Sequence, residues 1–280
     1  MRLLVVMILI STVVCKVKAQ ENNTEKTTVT LAAVYSSNVS YYGQVTSEQL
    51  PYVLANATVR FPVGLYISAG SYKLLNYGSG ISEVDLGVGF DYEFDHSLSG
   101  GIAYTRSFYP SNSPLLQASL TNNLNTSLNY QWPWFKSSAN VDFAFGQDKD
   151  IFLSLNNSKE ITIGTLLNGE DLLLVEPAIE IIAGTKSYYQ TYIVAKNRRG
   201  QEQGNGKAPA IPGNSGGNST IITPSKAFSL LSYNLKLPVT YSRSSYMVEF
   251  SYQLSFLGHT VEPEIKRQQS FFGLAFYYQF

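Results

Sequence analysis

The feature that most limits how this chain can fold is a two-residue alternation of apolar and polar side chains, repeated along most of its length. A β-strand points successive side chains to opposite faces, so period two marks a strand with two chemically different sides. Residues 84–94 place Val84, Leu86, Val88, Phe90, Tyr92 and Phe94 on one face and Asp85, Gly87, Gly89, Asp91 and Glu93 on the other. Residues 246–256 set Tyr246, Val248, Phe250, Tyr252, Leu254 and Phe256 against Met247, Glu249, Ser251, Gln253 and Ser255. Residues 231–241 and 120–132 follow the same rule, although Asn122 and Thr126 interrupt the apolar face of the latter. Shorter repeats occupy 139–145 and 151–156. The pattern predicts strands near 28–40, 51–62, 64–75, 82–94, 97–109, 114–132, 135–147, 149–157, 171–192, 226–241, 246–257 and 268–280.

The spacing of the connections adds direction. Phe61 to Gly64, Asp95-His96, Trp132 to Trp134 and Ser242 to Ser245 read as tight turns. Longer loops fall near 41–50, 76–81, 110–113, 195–225 and 258–267. Short turns at one end and long loops at the other are the habit of transmembrane barrels. The tight ends carry Phe61, Phe94, Trp132, Trp134 and Phe135, and the opposite ends Tyr41, Tyr42, Phe108, Tyr109, Tyr188 and Tyr189. We expect two aromatic girdles at the two membrane interfaces. Residues 200–220 are rich in Gly, Gln, Asn and Ser and too poor in apolar groups to offset chain entropy, so 195–225 is expected to be a flexible external loop.

A soluble sandwich also alternates, so the choice of lipid rests on further features. Only 14% of residues are charged, against roughly a quarter in ordinary soluble domains, and twenty tyrosines and fifteen phenylalanines stand in the gap. The face opposite the apolar one holds Gly, Ser, Asn and Tyr beside its charges. Residues 1–19 read as a secretory signal peptide, with Arg2, an apolar run from Leu3 to Val14 and Val17-Lys18-Ala19 before Gln20. The stretch around Cys15 is a poor lipoprotein signal, because no small residue precedes the cysteine. Without Arg2, Lys16 and Lys18 the balance is 17 basic against 20 acidic groups, a net of −3, which argues against a nucleic-acid partner. In hydrocarbon every backbone N–H and C=O needs a partner, so a spanning sheet must close. The expectation is therefore an all-β chain, a single closed antiparallel transmembrane β-barrel of about 12 strands over 20–280, with both termini periplasmic.

The C-terminal segment is the most specific signal. Residues 271–280 end on Phe280 and place Phe272, Leu274, Phe276, Tyr278 and Phe280 on one face. This resembles the terminal strand of bacterial outer-membrane proteins, which implies recognition by the barrel assembly machinery. Tyr41-Tyr42-Gly43-Gln44, Leu50-Pro51-Tyr52 and Ser232-Tyr233-Asn234 are similar to segments of uncharacterised outer-membrane β-barrels of Bacteroidota-type bacteria. That resemblance implies an outer-membrane location with lipid as the surrounding partner, and no particular chemistry.

Chemistry-bearing patterns are sparse. The two histidines, His96 and His259, fall in a turn and a loop. His96-Ser97 offers the residue types of an outer-membrane phospholipase but no third group to orient the base. Gln147-Asp148-Lys149-Asp150 lacks the Gly and distal Glu of a calcium loop, and the glycines of 200–217 follow no strand-to-helix turn that would cradle phosphate. Neither a cofactor nor a metal is expected. If the apolar faces meet lipid, then Asp85, Asp91, Glu93, Asp142, Glu176, Glu180 and Glu249 point into the lumen, joined by Arg60, Lys186 and Lys236. Such charges need partners or water. They form either a salt-bridged plug or the wall of a polar pore. The expected function is a passive narrow pore or transport-associated barrel without enzymatic activity. The alternatives are a plugged structural or partner-binding barrel, with unidentified outer-membrane protein partners, and a membrane-embedded enzyme. Barrels of about eight strands fill with side chains and those of about 16–18 leave a channel, so a count near twelve does not decide between pore and plug.

Overall fold

A computed structural model describes residues 26–167, 169–189, 191–194, 196, 228–258 and 265–280. Residues 1–19, expected from the sequence to be a signal peptide, His259 and all of the 195–225 connection except Lys196 lie outside the described residues. The strands are β1 (Thr28–Ser36), β2 (Tyr52–Arg60), β3 (Leu65–Leu74), β4 (Glu83–Glu93), β5 (Leu98–Phe108), β6 (Asn122–Gln131), β7 (Lys136–Phe145) and β8 (Lys149–Ser158). They continue with β9 (Ile161–Gly164), β10 (Asp171–Val175), β11 (Ala178–Gly184), β12 (Ser229–Arg243), β13 (Tyr246–Leu257) and β14 (Gln268–Gln279).

All described pairings between strands are antiparallel and the sheet closes on itself. β1 pairs with β14 from Thr30 opposite Gln279 to Ser36 opposite Gly273, and β11 pairs with both β8 and β12. β9 and β10 are continuations rather than extra staves. Val175 lies opposite Val239 and Ala178 opposite Lys236 with no slip between them, so β10 and β11 are one strand interrupted at Glu176-Pro177. Fourteen segments less these two continuations give a wall of twelve strands. The interruption has a local cause: Pro177 has no N–H to give, and it stands beside Pro238 of β12, whose carbonyl accepts from Glu176 N–H at 3.1 Å.

The structure shortens some predicted strands. Residues 114–121 do not extend β6; Leu116–Ser119 form a 3-10 turn in the connection from β5. The segment predicted as one strand over 171–192 ends at Gly184, and a helical stretch begins at Tyr188. Asp150 of β8 explains the switch. Its carboxylate accepts from the Ser187 and Tyr188 N–H groups at 2.7 and 2.9 Å, which satisfies donors at the start of the helical stretch.

The alternation maps onto the two sides of the wall. Leu86, Val88, Phe90, Ile102, Leu128, Leu237, Phe250, Phe272, Leu274 and Phe276 form an exposed apolar belt on the outside. A closed sheet with such a belt is suited to hydrocarbon, where its backbone groups are all paired internally. The start of β1 and the end of β14 lie at the tight-turn end: Phe280 N–H donates to Val29 O and Gln279 N–H to Ser245 O. There Phe94, Trp132, Trp134 and Phe280 point outward, as an interfacial girdle requires. The second girdle is corrected by the structure. Phe108 is exposed, but Tyr188 is fully buried, and Tyr41, Tyr42 and Tyr189 pack against the apolar cluster inside the barrel. Tyr109 turns inward and donates to Glu83. These tyrosines fill the mouth instead of meeting lipid.

Candidate functional site

The inner face carries the barrel's chemistry. Asp85, Asp91 and Glu93 share one face of β4, Asp142 lies on β7, Glu180 on β11, Lys236 on β12 and Glu249 on β13, all on the side opposite the apolar belt. Arg60 ends β2 and Glu176 occupies the break between β10 and β11. Lys186 stands apart: it follows β11 in the connection to the helical stretch, where burial lowers its ammonium pKa.

Two of these charges are paired by a base. Arg60 is in contact with Asp91 and lies 5.0 Å from the centre of the Tyr66 ring. Lys236 is 2.8 Å from Glu180, which also accepts from the Asn234 amide at 2.8 Å. The other carboxylates are met by neutral donors or by none. Asp142 accepts from the amides of Asn123 and Asn125 at 3.1 and 2.8 Å, and Glu176 accepts from Ser158 at 2.7 Å. Asp85 Oδ1 is buried without a partner among the described residues. Sequence reasoning passed over two further lumen acids, Glu83 and Asp150. Glu83 shares the inward parity of Asp85 and marks the start of β4, so the alternation could have found it. Asp150 is the second residue of β8, and its partners are more than thirty residues away in sequence.

The long connection between β1 and β2 folds into the barrel. Tyr41 N–H donates to Gln44 O at 2.8 Å and Gln44 N–H to Tyr41 O at 2.9 Å, closing a tight turn on Tyr42 and Gly43. Both central residues have positive φ, 49° and 80°, the pattern of a type I′ turn. The turn is seated on the wall. The Gln44 side-chain amide donates to Leu231 O at 2.9 Å, Ser232 Oγ to Tyr42 O at 3.4 Å, and the Tyr42 ring stacks on Phe152 with centroids 3.9 Å apart. Tyr41 meets Phe152 and Tyr188 edge-on. Burial raises the phenol pKa of Tyr41, Tyr42 and Tyr188, so this aromatic cluster is neutral.

This inward loop leaves space on both sides. A cavity of about 360 Å³ lies towards β1 and β11 to β14, lined by Tyr52, Asn234, Lys236, Gln253 and Phe271. A second, of about 250 Å³, lies towards β2 to β7. At the tight-turn end a wider cavity of about 620 Å³ is lined by Arg60, Asp91, Glu93, Ser99 and Asn129. His96 and Ser97 sit in the β4–β5 turn, where the Asp95 carboxylate already accepts from the Ser97 and Leu98 N–H groups.

No family model and no curated protein matches the chain. Solved structures do. LpxR from Salmonella typhimurium superposes with a TM-score of 0.50 at 8% identity, covering 89% of this chain and 99% of that one. The KdgM porin gives 0.48 at 9% identity, over 90% and 99% of the two chains. An outer membrane channel from Pseudomonas putida F1 gives 0.47 at 8% identity, over 94% and 100%. At this identity the likeness is one of fold. With its closed wall and outward apolar belt, the chain has the fold of a bacterial outer-membrane β-barrel.

Proposed function

We propose that the protein is a passive, narrow outer-membrane pore for small solutes, without catalytic activity and with a preference for cations. The observation behind this reading is the unbalanced charge of the lumen. Arg60 and Lys236 each neutralise one carboxylate, while Asp85, Glu93, Asp142, Glu176 and Glu249 have no basic partner among the described residues. A salt-bridged plug would have matched them. Acidic walls that neutral amides and water solvate favour cations. At His96-Ser97 the Asp95 carboxylate accepts from backbone N–H groups, which supports a non-enzymatic role for this turn. The inward turn at Tyr42-Gly43 would set the narrowest point. The secretory segment 1–19 and the β14 strand ending at Phe280 would deliver the chain to the barrel assembly machinery, leaving both termini in the periplasm. Reconstitution in planar bilayers tests the reading: small, steady single-channel steps are expected.

A second reading has its own support. Tyr41 and Tyr42 of the loop 37–51 and Tyr188 and Tyr192 of the helical stretch pack with Phe152 and Leu231 of the wall in the largest buried cluster among the described residues. If the loop and the stretch never leave, the barrel is a plugged structural or partner-binding protein. An electrically silent bilayer at high protein loading would favour this reading and remove the pore.

A further inference from the structure

On its outer side the wall is broken near the loop end by a basic row. Arg106 of β5 shares the outward parity of Ile102, Tyr104 and Phe108 and is exposed like them. The strand register carries the row sideways: Arg106 lies opposite Asn122 of β6, Asn122 opposite Phe145 of β7, and Phe145 opposite Lys149 of β8. Lys149 is exposed and has the parity of the outward Ile151 and Leu155. Neighbouring strands lie about 4.8 Å apart, so the two bases stand on backbone about 14 Å apart, within reach of one headgroup region. The next row towards the midplane is Tyr104, Leu124, Phe143 and Ile151, all of them exposed.

The arginine is held in place. Asn122, which interrupts the apolar alternation of β6, is only 7% exposed. Its Oδ1 accepts from Arg106 Nη1 and from the Tyr104 hydroxyl, both at 2.7 Å, and its Nδ2 donates to Phe145 O and Thr121 Oγ1, both at 3.1 Å. The Phe108 ring centre lies 5.6 Å from the guanidinium carbon on another side. The wall therefore orients Arg106 through a neutral amide and an aromatic ring and supplies no counter-charge. No salt bridge between described residues includes Arg106 or Lys149. A guanidinium carries five donors, and the remaining ones need acceptors at the edge of the hydrocarbon.

Three properties limit what supplies them. The row lacks negative charge, which calls for an anion. A planar guanidinium fork matches two oxygens of one phosphate. The row is continuous with the apolar belt, so a ligand seated on it has its apolar part against Leu124, Phe143 and Ile151. A soluble anion uses the first two properties and leaves the third idle; a phosphate that carries acyl chains uses all three.

We propose that the Arg106–Lys149 row binds the phosphate headgroup of an anionic membrane lipid in the leaflet on the loop side, with Arg106 as its anchor and the belt beside it as the seat of the acyl chains. This goes beyond the pore reading, because it uses the outside of the wall and requires no current. The test is native mass spectrometry of the detergent-folded barrel titrated with dioleoylphosphatidylglycerol or with dioleoylphosphatidylcholine, which has the same chains and phosphate but no net charge. The first phosphatidylglycerol is expected to bind several-fold more tightly than phosphatidylcholine. Arg106→Gln should weaken phosphatidylglycerol binding by roughly tenfold or more, the loss of a charge-assisted hydrogen bond, and remove the preference over phosphatidylcholine. Lys149→Gln should weaken it several-fold. Arg267→Gln, the same charge change beside β14, should leave it unchanged. Heat-modifiable gel mobility reports whether each variant is folded; if Arg106→Gln does not fold, Lys149→Gln and the comparison of the two lipids decide the matter. Equal binding of the two lipids to the wild type, a folded Arg106→Gln barrel with wild-type affinity, or an equal loss of both lipids in that variant would each overturn the site, the last by leaving Arg106 a purely structural partner of Asn122. Displacement of phosphatidylglycerol by millimolar inorganic phosphate would overturn the lipid assignment, since the acyl chains would then contribute nothing.

Discussion

Val88 and Val248 show what a single side chain on this wall must satisfy. Both belong to the apolar side of their strands, Val88 with 43% of its surface exposed. Arginine at either position would place a charge against hydrocarbon, at a cost of roughly 2–4 kcal/mol near the midplane. Reversible unfolding from lipid vesicles should show the loss for Val88→Arg and Val248→Arg; wild-type stability in both would mean that the belt does not face lipid. Position 89 is less forgiving than its luminal parity implies. A Cβ there would lie 2.3 Å from Tyr66 Cζ, so Gly89→Ser must swing the ring that packs beside Arg60. Gly43 is tighter still. Its φ is +80° and a Cβ would fall 2.1 Å from Ser232 Oγ. Gly43→Ala combines a left-handed backbone cost of about 1–2 kcal/mol with that clash. The turn should leave its seat, and protease cleavage within 37–51 should become faster while the barrel keeps its gel mobility. Unchanged protection would show that Tyr42 stacking on Phe152 holds the loop without Gly43.

At the scale of the element, β14 does two jobs. It pairs with β13 along its length and closes the barrel against β1. Its outward residues Phe272, Leu274, Phe276 and Tyr278 continue the belt, and Phe280 N–H fastens the end to Val29. Phe280→Ser keeps the backbone bond and removes the terminal aromatic group. The expected outcome is less heat-modifiable barrel in the outer-membrane fraction, with stability of the assembled portion nearly unchanged. Equal assembly would detach the terminal residue from biogenesis. Strands like β4, β13 and β14 were legible because each has lipid on one side and lumen on the other, which writes the alternation into the sequence. The elements misread were those whose surroundings are protein on both sides. Tyr188 and Tyr189 carry the same residue type as a lipid girdle, and only the contact of Tyr188 N–H with Asp150, thirty-eight positions away, turns the chain into a helical stretch inside the mouth. Tyr41 and Tyr42 are apolar enough for an interface and equally apt for Phe152. For the lumen, parity assigns the charges on β4, β7 and β11 to β13 to the face opposite the belt. It could not tell which acids meet a base, because partners such as Lys236 and Glu180 are joined by strand order rather than sequence distance.

For the whole molecule the open question is whether the acidic lumen passes ions, and the pairing pattern tells which substitutions answer it. Asp91 is bound to Arg60, so Asp91→Asn would remove one negative charge and also release a guanidinium into the wide cavity at the tight-turn end. That variant alone mixes two effects. Asp85 and Asp142 have no basic partner among the described residues, and Asp142 is held by the Asn123 and Asn125 amides. Changing both to Asn lowers the fixed charge by two and hardly alters volume. If the barrel is a cation-preferring pore, the reversal potential in a potassium chloride gradient should move towards zero in Asp85→Asn/Asp142→Asn, and further when Asp91→Asn is added. Unfolding should change little in the double variant, since no ion pair is lost, whereas the triple variant should be less stable because Arg60 loses its partner. A plugged barrel makes a different forecast: no current in any variant, with the stability ranking intact. Anion preference in the wild type would exclude the cation pore directly, because the acids without basic partners would then have no part in selecting the permeant ion.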